Sequence, residues 1–337
     1  MDSEWIAALP KIELHCHLDG SVRPERIRED LRRRGLPVPA DFLRQISVGE
    51  DCTSLSQYLD CFRLSVQWLQ SEQALEQAVV DLLEDCAREN IRYIEIRFAP
   101  VLHLFEGLTY EQVFQALERG RQIGQAATGV RCAFLVCALR NYDMEQNLAM
   151  LEAAKQWFPA LVCGADLAGD EDLHPVEYYA DYFRRAAELG MPLTVHAGET
   201  GKAEHIAAAL DFGARRLGHG IAMWQDEALM DRVRAQGVGI EMCPTSNFQT
   251  RASSGWDHYP LRTFLERGML AFLNTDNPTV SSTTLNREYQ RAMEEGGISR
   301  ADVLRLLENA CHAAFAPEEW KRGYLSQLEA FRSGNGE

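Results

Sequence analysis

Eight short, apolar, β-prone runs recur along the 337-residue chain, and nearly all are followed by a turn cluster and then a helical pattern. They fall at 11–18, 93–100, 132–139, 161–169, 193–199, 216–221, 239–247 and 270–278. Between them lie segments with helical periodicity, among them 71–90, 110–127, 175–190 and 226–237. This alternation predicts an α/β fold, a (β/α)8 TIM barrel with helices at its C-terminal end, rather than an open sheet. With 46% hydrophobic residues, the chain can fill such a core, and it reads as one domain over 1–337.

The connection after the first strand, residues 19–92, is far longer than a strand-to-helix turn requires. Within it Leu55, Tyr58, Leu59, Phe62, Val66 and Leu69 recur at helical spacing. The plain reading is a helix packed on the barrel. The sharper one is a helical lid whose apolar face roofs the C-terminal mouth.

Charge and cysteine usage exclude several function classes. A net charge of −16 repels phosphate backbones and anionic membranes, so nucleic acid and membrane partners are not expected. Nine scattered cysteines without a C-x-x-C pair fit reduced thiols in a cytoplasmic protein. There is no run long and apolar enough to span a bilayer, and the N-terminus lacks the pattern of a secretory signal. The tail 332–337 is expected to fray.

In a barrel, reacting groups gather at the C-terminal ends of the strands. The first strand ends in His15 and His17, which share one face because side chains two apart on a strand do. His196 and Glu199 end the fifth, His219 the sixth, and Asp276 and Asn277 the eighth. Each motif alone is weak: an H-x-H pair is often structural, Gly-His-Gly is often a turn, and "TDNP" reads as an Asx turn. Together at one end of one barrel, imidazoles and a carboxylate suit zinc or a similar divalent ion with a position left for water. His103, His174, His205, His258 and His312 fall elsewhere and are assigned no chemistry. Arg97, inside the second strand, is either a structural ion pair or a support for the ligands, and "LAGDE" after the fourth is either an ordinary glycine turn or places Gly169 at the mouth.

The motifs "HCHLDGS", "HAGE", "LGHG", "CPTSN" and "LNTDNP", in this order, resemble the adenosine deaminase family of metal-dependent (β/α)8 hydrolases over roughly residues 8–330. The resemblance implies that His15, His17, His196 and Asp276 bind one Zn2+ ion. It implies that Glu199 shuttles a proton at purine N1 and that His219, with Asp276, orients the attacking water. Asp19 would contact a ribose hydroxyl, the Gly169 backbone purine N3, and Asn277 purine N7, with His17 also beside the substrate. Many members carry a second aspartate where this chain has Asn277.

The activity so implied is hydrolytic deamination of adenosine, and of 2'-deoxyadenosine, to inosine or deoxyinosine and ammonia. Alternatives on the same barrel are a deaminase of free adenine or of a modified adenine nucleoside, and a non-catalytic nucleoside-binding barrel. In each case the partner is a small purine. Asp19 disfavours a free base, where a carboxylate placed for a hydroxyl is idle, and a nucleotide, whose phosphate it repels. The H-x-E plus P-C-x-x-C signature of the other zinc deaminase class is absent.

Overall fold

A computed structural model describes residues 2–49 and 51–335. Its strands are β1 (Lys11–His17), β2 (Ile91–Phe98), β3 (Arg131–Leu139), β4 (Val162–Ala168), β5 (Thr194–Ala197), β6 (Arg216–His219), β7 (Gly239–Met242) and β8 (Leu270–Leu273). They pair in parallel as two runs, β1-β2-β3-β4 and β5-β6-β7-β8. Two single bridges join the runs, Ala165 with Leu193 and Cys16 with Asp276. At the second seam His17 N–H donates to Asp276 O at 2.9 Å and Asp276 N–H to His15 O at 2.8 Å. Barrel closure and ligand placement are therefore the same hydrogen bonds: the residues that seal β8 to β1 are those expected to bind metal.

Helices between the strands are delimited by the chemistry of their ends. Thr109 and Gln112 form a capping box for Tyr110–Thr128, which stops at left-handed Gly129. Ser71 caps Glu72–Arg88 and Asp226 caps Glu227–Ala235 through side-chain oxygens that accept backbone N–H groups. Their inward faces and the outward residues of the strands, such as Leu14, Cys16 and Leu18 from the first strand and turn, make one continuous apolar core.

Three expectations need correction. The last four strands are shorter than read, because the backbone leaves extended geometry at His219 (φ 67°) and Asp276 (φ 63°), and because "CPTSN" opens a helix, Pro244–Gln249. Proline at its first position costs nothing there, since that N–H has no helical partner. The insertion does not form one helix over 55–69 but breaks into Leu55–Leu59, a 3-10 turn Asp60–Phe62, and Arg63–Trp68. Leu55, Tyr58, Leu59, Phe62 and Val66 line the cavity at the mouth, whereas Leu69 is buried in the core, so the stripe divides between the two surfaces. Finally, the C-terminal helix Glu318–Asn335 takes in most of the tail expected to fray; Gly336 and Glu337 lie outside the described residues.

Candidate active site

His15, His17, His196 and Asp276 bring one ligand atom each to within 4.8 Å of one another. His17 Nε2 and His196 Nε2 are 3.3 Å apart, and Asp276 Oδ1 lies 3.2 Å from His15 Nε2 and 3.4 Å from His17 Nε2. His15 Nε2 is buried and without a hydrogen-bond partner. Three imidazole nitrogens and one carboxylate oxygen converge on one point, and the His15 nitrogen among them is left without a partner, so the donor set fits a divalent metal.

The far side of each ring explains why these nitrogens face inward. His15 Nδ1 is 2.8 Å from Glu241 Oε2, and His196 Nδ1 is 3.1 Å from Asp166 Oδ1. Both carboxylates can only accept, so Nδ1 carries the proton and Nε2 keeps its lone pair for the metal. Arg97 joins the two supports, donating to Asp166 at 2.9 Å and to Glu241 at 2.8 Å, so its two readings merge into one. Arg216 then ties Glu241 to Glu95 at 2.7 Å and 2.6 Å, while Thr194 donates to Glu241 at 2.8 Å. Burial pushes Asp166 and Glu241 up, but Arg97 with His196 holds the first well below the carboxylate range, and Arg97 with Arg216 holds the second there. A fully buried network of this kind adds little net stability against a hydrophobic equivalent, because desolvation offsets its attraction. Its effect is to fix ring orientation.

Asp276 is likewise pushed up by burial yet held well below its usual range by the imidazoles around it, His15 first. Ser246 Oγ donates to its second oxygen at 2.6 Å. His219 sits beside the cluster with Nδ1 2.9 Å from Asn247 Nδ2 and Nε2 3.7 Å from Glu199 Oε2. Tyr259 OH donates to Asn247 Oδ1 at 3.0 Å. Burial lowers His219 to about 4, leaving it neutral at pH 7. The Glu199 carboxyl moves the other way, to about 8, chiefly by burial and next by the charge of Asp276.

These groups open onto a cavity of about 1240 Å³. Asp19, Gly169 and Asn277 line it with His17, His196, Glu199, His219 and Asp276, while His15 lies fully buried behind Asp276. Asp19 is buried, accepts the Gly20 N–H at 3.2 Å, and is pushed by burial to about 6. Gly169 has φ 94°, a backbone conformation that glycine adopts freely. Asn277 Oδ1 is buried without a partner, and a Cβ on Gly20 would lie 1.9 Å from it, so Gly20 is the room that this amide needs.

Sequence reasoning missed Asp166, Glu241, Ser246 and Asn247. The signal for the first two was present: a carboxylate in the middle of an apolar strand is costly to bury unless something pairs with it.

Fold and cluster together define a metal-dependent barrel hydrolase. The adenosine deaminase family model matches residues 10–331. Adenosine deaminase of Haemophilus ducreyi is 38% identical over 327 residues, covering 94% of this chain and 95% of that one. Among solved structures, adenine deaminase from Arthrobacter aurescens superposes with a TM-score of 0.90 at 26% identity, covering 97% and 100%. The N6-methyl-AMP deaminase from Arabidopsis thaliana reaches 0.86 at 26% identity, covering 97% and 98%. The chain belongs to the adenosine deaminase family. It is an enzyme that hydrolytically deaminates an adenine-containing purine.

Proposed function

We propose that the substrate is adenosine, with 2'-deoxyadenosine, and that the metal is one Zn2+ held by His15, His17, His196 and Asp276. The observation that carries the substrate reading is the buried carboxylate of Asp19 at the cavity wall, two residues beyond a metal-binding histidine, where a sugar hydroxyl can donate to it. The relative at 38% identity bears the same activity in its name. Nine free thiols, eight of them buried, favour the cytoplasm as the place of work.

Held by these four residues, a divalent metal would supply the acidity that makes a water nucleophilic near neutral pH. The remaining chemistry belongs to the chain. Glu199, neutral below about pH 8, donates its proton to purine N1, which draws electron density from C6 as it becomes tetrahedral. Neutral His219, whose Nδ1 accepts from Asn247 so that Nε2 bears the hydrogen, orients the attacking water. Ionised Asp276 takes one of its protons and passes it to the departing amine as the C6–N bond breaks, and the proton left on the new C6 oxygen returns to Glu199. Gly169 N–H faces N3 and the Asn277 amide faces N7, which between them fix the ring. Helices of the insertion cover the sugar side and exclude water.

A second reading divides in two: free adenine is favoured by the likeness to adenine deaminase, and a larger, modified adenine compound by a cavity larger than a nucleoside fills. One panel separates them: kcat/KM for adenosine, 2'-deoxyadenosine, N6-methyladenosine, adenine and adenosine monophosphate, with metal analysis of the same sample. Adenosine is expected to lead. Asp19→Ala should lower adenosine turnover by the ~1.5–3 kcal/mol of a hydrogen bond to a charged group, narrowing its lead over adenine. Preference of the unmutated enzyme for adenine or a nucleotide would reverse the assignment.

A further inference from the structure

The segment from His196 to Thr200 carries both a metal-binding imidazole and the Glu199 carboxyl, and two charged side chains from neighbouring strand ends grip its backbone. Arg140, buried after β3, donates through Nη2 to His196 O at 2.8 Å and through Nη1 to His174 O at 2.8 Å. Glu171, buried after β4, accepts Gly198 N–H at 2.6 Å, Thr200 N–H at 2.9 Å and Thr200 Oγ1 at 3.1 Å. His205 Nδ1 lies 3.0 Å from its Oε1, and a carboxylate can only accept, so that nitrogen carries a proton.

We propose that Glu171 is a positioning residue for catalysis: it clamps the two peptide N–H groups on either side of Glu199 and thereby aims that carboxyl at the substrate ring. A proton-transferring carboxyl must leave its oxygens for the substrate, so its place has to come from its backbone. Gly198 has φ 81°, and a Cβ there would meet Ile206 Cδ1 at 2.5 Å, so the turn must be built on glycine, the residue with the least conformational preference of its own, and its shape is set by what holds its N–H groups. The two backbone bonds to Glu171 span the residue between them, as two fingers hold a lever on both sides of its arm. Arg140 fixes the other end at His196, which separates the placing of the metal ligand from the placing of the acid. Glutamine at 171 cannot substitute: its amide nitrogen would face one of the N–H donors, and donor would oppose donor.

The proposal rests on Glu199 acting as the proton donor, so both are tested in one double-mutant cycle on the metal-loaded enzyme. Glu171→Gln is expected to lower kcat about 10- to 100-fold, to leave KM within about threefold, and to leave metal content unchanged. In a Glu199→Gln background the same change should lower kcat by less than about threefold, because there is no longer a proton to aim. A merely structural residue would lower kcat equally in both backgrounds, and that result, or a single variant near wild-type kcat, overturns the proposal. If Glu199→Gln alone stays near wild type, the reading of Glu199 falls first and the clamp with it. Should Glu171→Gln fail to fold, Glu171→Asp keeps the charge with a shorter reach and runs the same cycle: a loss confined to the Glu199 background supports the clamp, and an equal loss in both overturns it.

Discussion

Glu199 is useful only while it holds a proton, and its surroundings provide that condition. Burial and Asp276 raise it to about 8, so at neutral pH it is mostly protonated, and the donor is lost as pH rises through about 8. The kcat profile should therefore fall on its alkaline side near that value. Glu199→Gln should lie at least ~10²-fold lower and lack the limb, with metal still bound. A limb that persists in the variant would belong to another group. At Asn277 the departure from the commoner aspartate gives a second test. Purine N7 only accepts, and an amide donates at any pH whereas a carboxyl donates only when protonated. We expect 7-deazaadenosine to lose about 1–3 kcal/mol of transition-state binding, and Asn277→Asp to lose kcat/KM at a pH below the Glu199 limb, where the unmutated enzyme still keeps its rate. Equal rates for the two nucleosides with an unchanged profile would assign Asn277 only to the turn before Pro278. Ligand-type residues such as His15, His17 and His196 were legible because imidazoles at strand ends are chemically conspicuous. Asp166 and Glu241 were not, since a single acid within an apolar strand does not name its partner.

At the scale of elements, the eight-fold alternation could be read because buried parallel strands and amphipathic helices impose different periods on apolar residues. Strand ends could not, because they are set by contacts remote in sequence. Leu14 N–H, for instance, donates to Asn274 Oδ1 at 3.0 Å, at the far end of the chain, where β1 loses register with β2 between Glu13 and Cys16. The break in the insertion helix was hidden for a similar reason: Tyr58 turns inward to meet Ser281 Oγ at 2.7 Å, and that partner lies beyond β8. Support of the metal ligands is also distributed over elements, with β2 adding Arg97 and Glu95 and β4, β5, β6 and β7 one group each to the layer under the histidines. Glu241→Gln should accordingly weaken metal binding about 10- to 100-fold, measured by chelator competition, because one neutral amide oxygen cannot accept from His15 and Arg97 on one side and Thr194 and Arg216 on the other, and the order of the His15 ring is lost. It should also destabilise the fold by about 3–5 kcal/mol, leaving Arg97 and Arg216 short of a counter-charge. Unaltered metal affinity in a destabilised variant would confine Glu241 to a structural part.

For the whole molecule, charge decides which purine arrives easily. The net −16 creates a field that repels an anion approaching from solvent, and its reach shrinks from about 30 Å at 10 mM salt to about 10 Å at 0.1 M. Adenosine is neutral, so its kcat/KM should stay within about twofold across that range. Adenosine monophosphate is an anion facing both the field and Asp19, so its low kcat/KM should rise with salt as repulsion is screened. The mouth also holds Arg44 and Arg63, local cations that can pair with a phosphate. If they do, attraction at short range outweighs the global field and the sign inverts: nucleotide turnover would fall as salt rises. Initial rates for both substrates at four ionic strengths, at constant pH and saturating metal, thus distinguish a nucleoside enzyme from a nucleotide enzyme without a mutation. A flat line for adenosine with a rising line for the nucleotide supports the first, and a falling nucleotide line would move the assignment to the second.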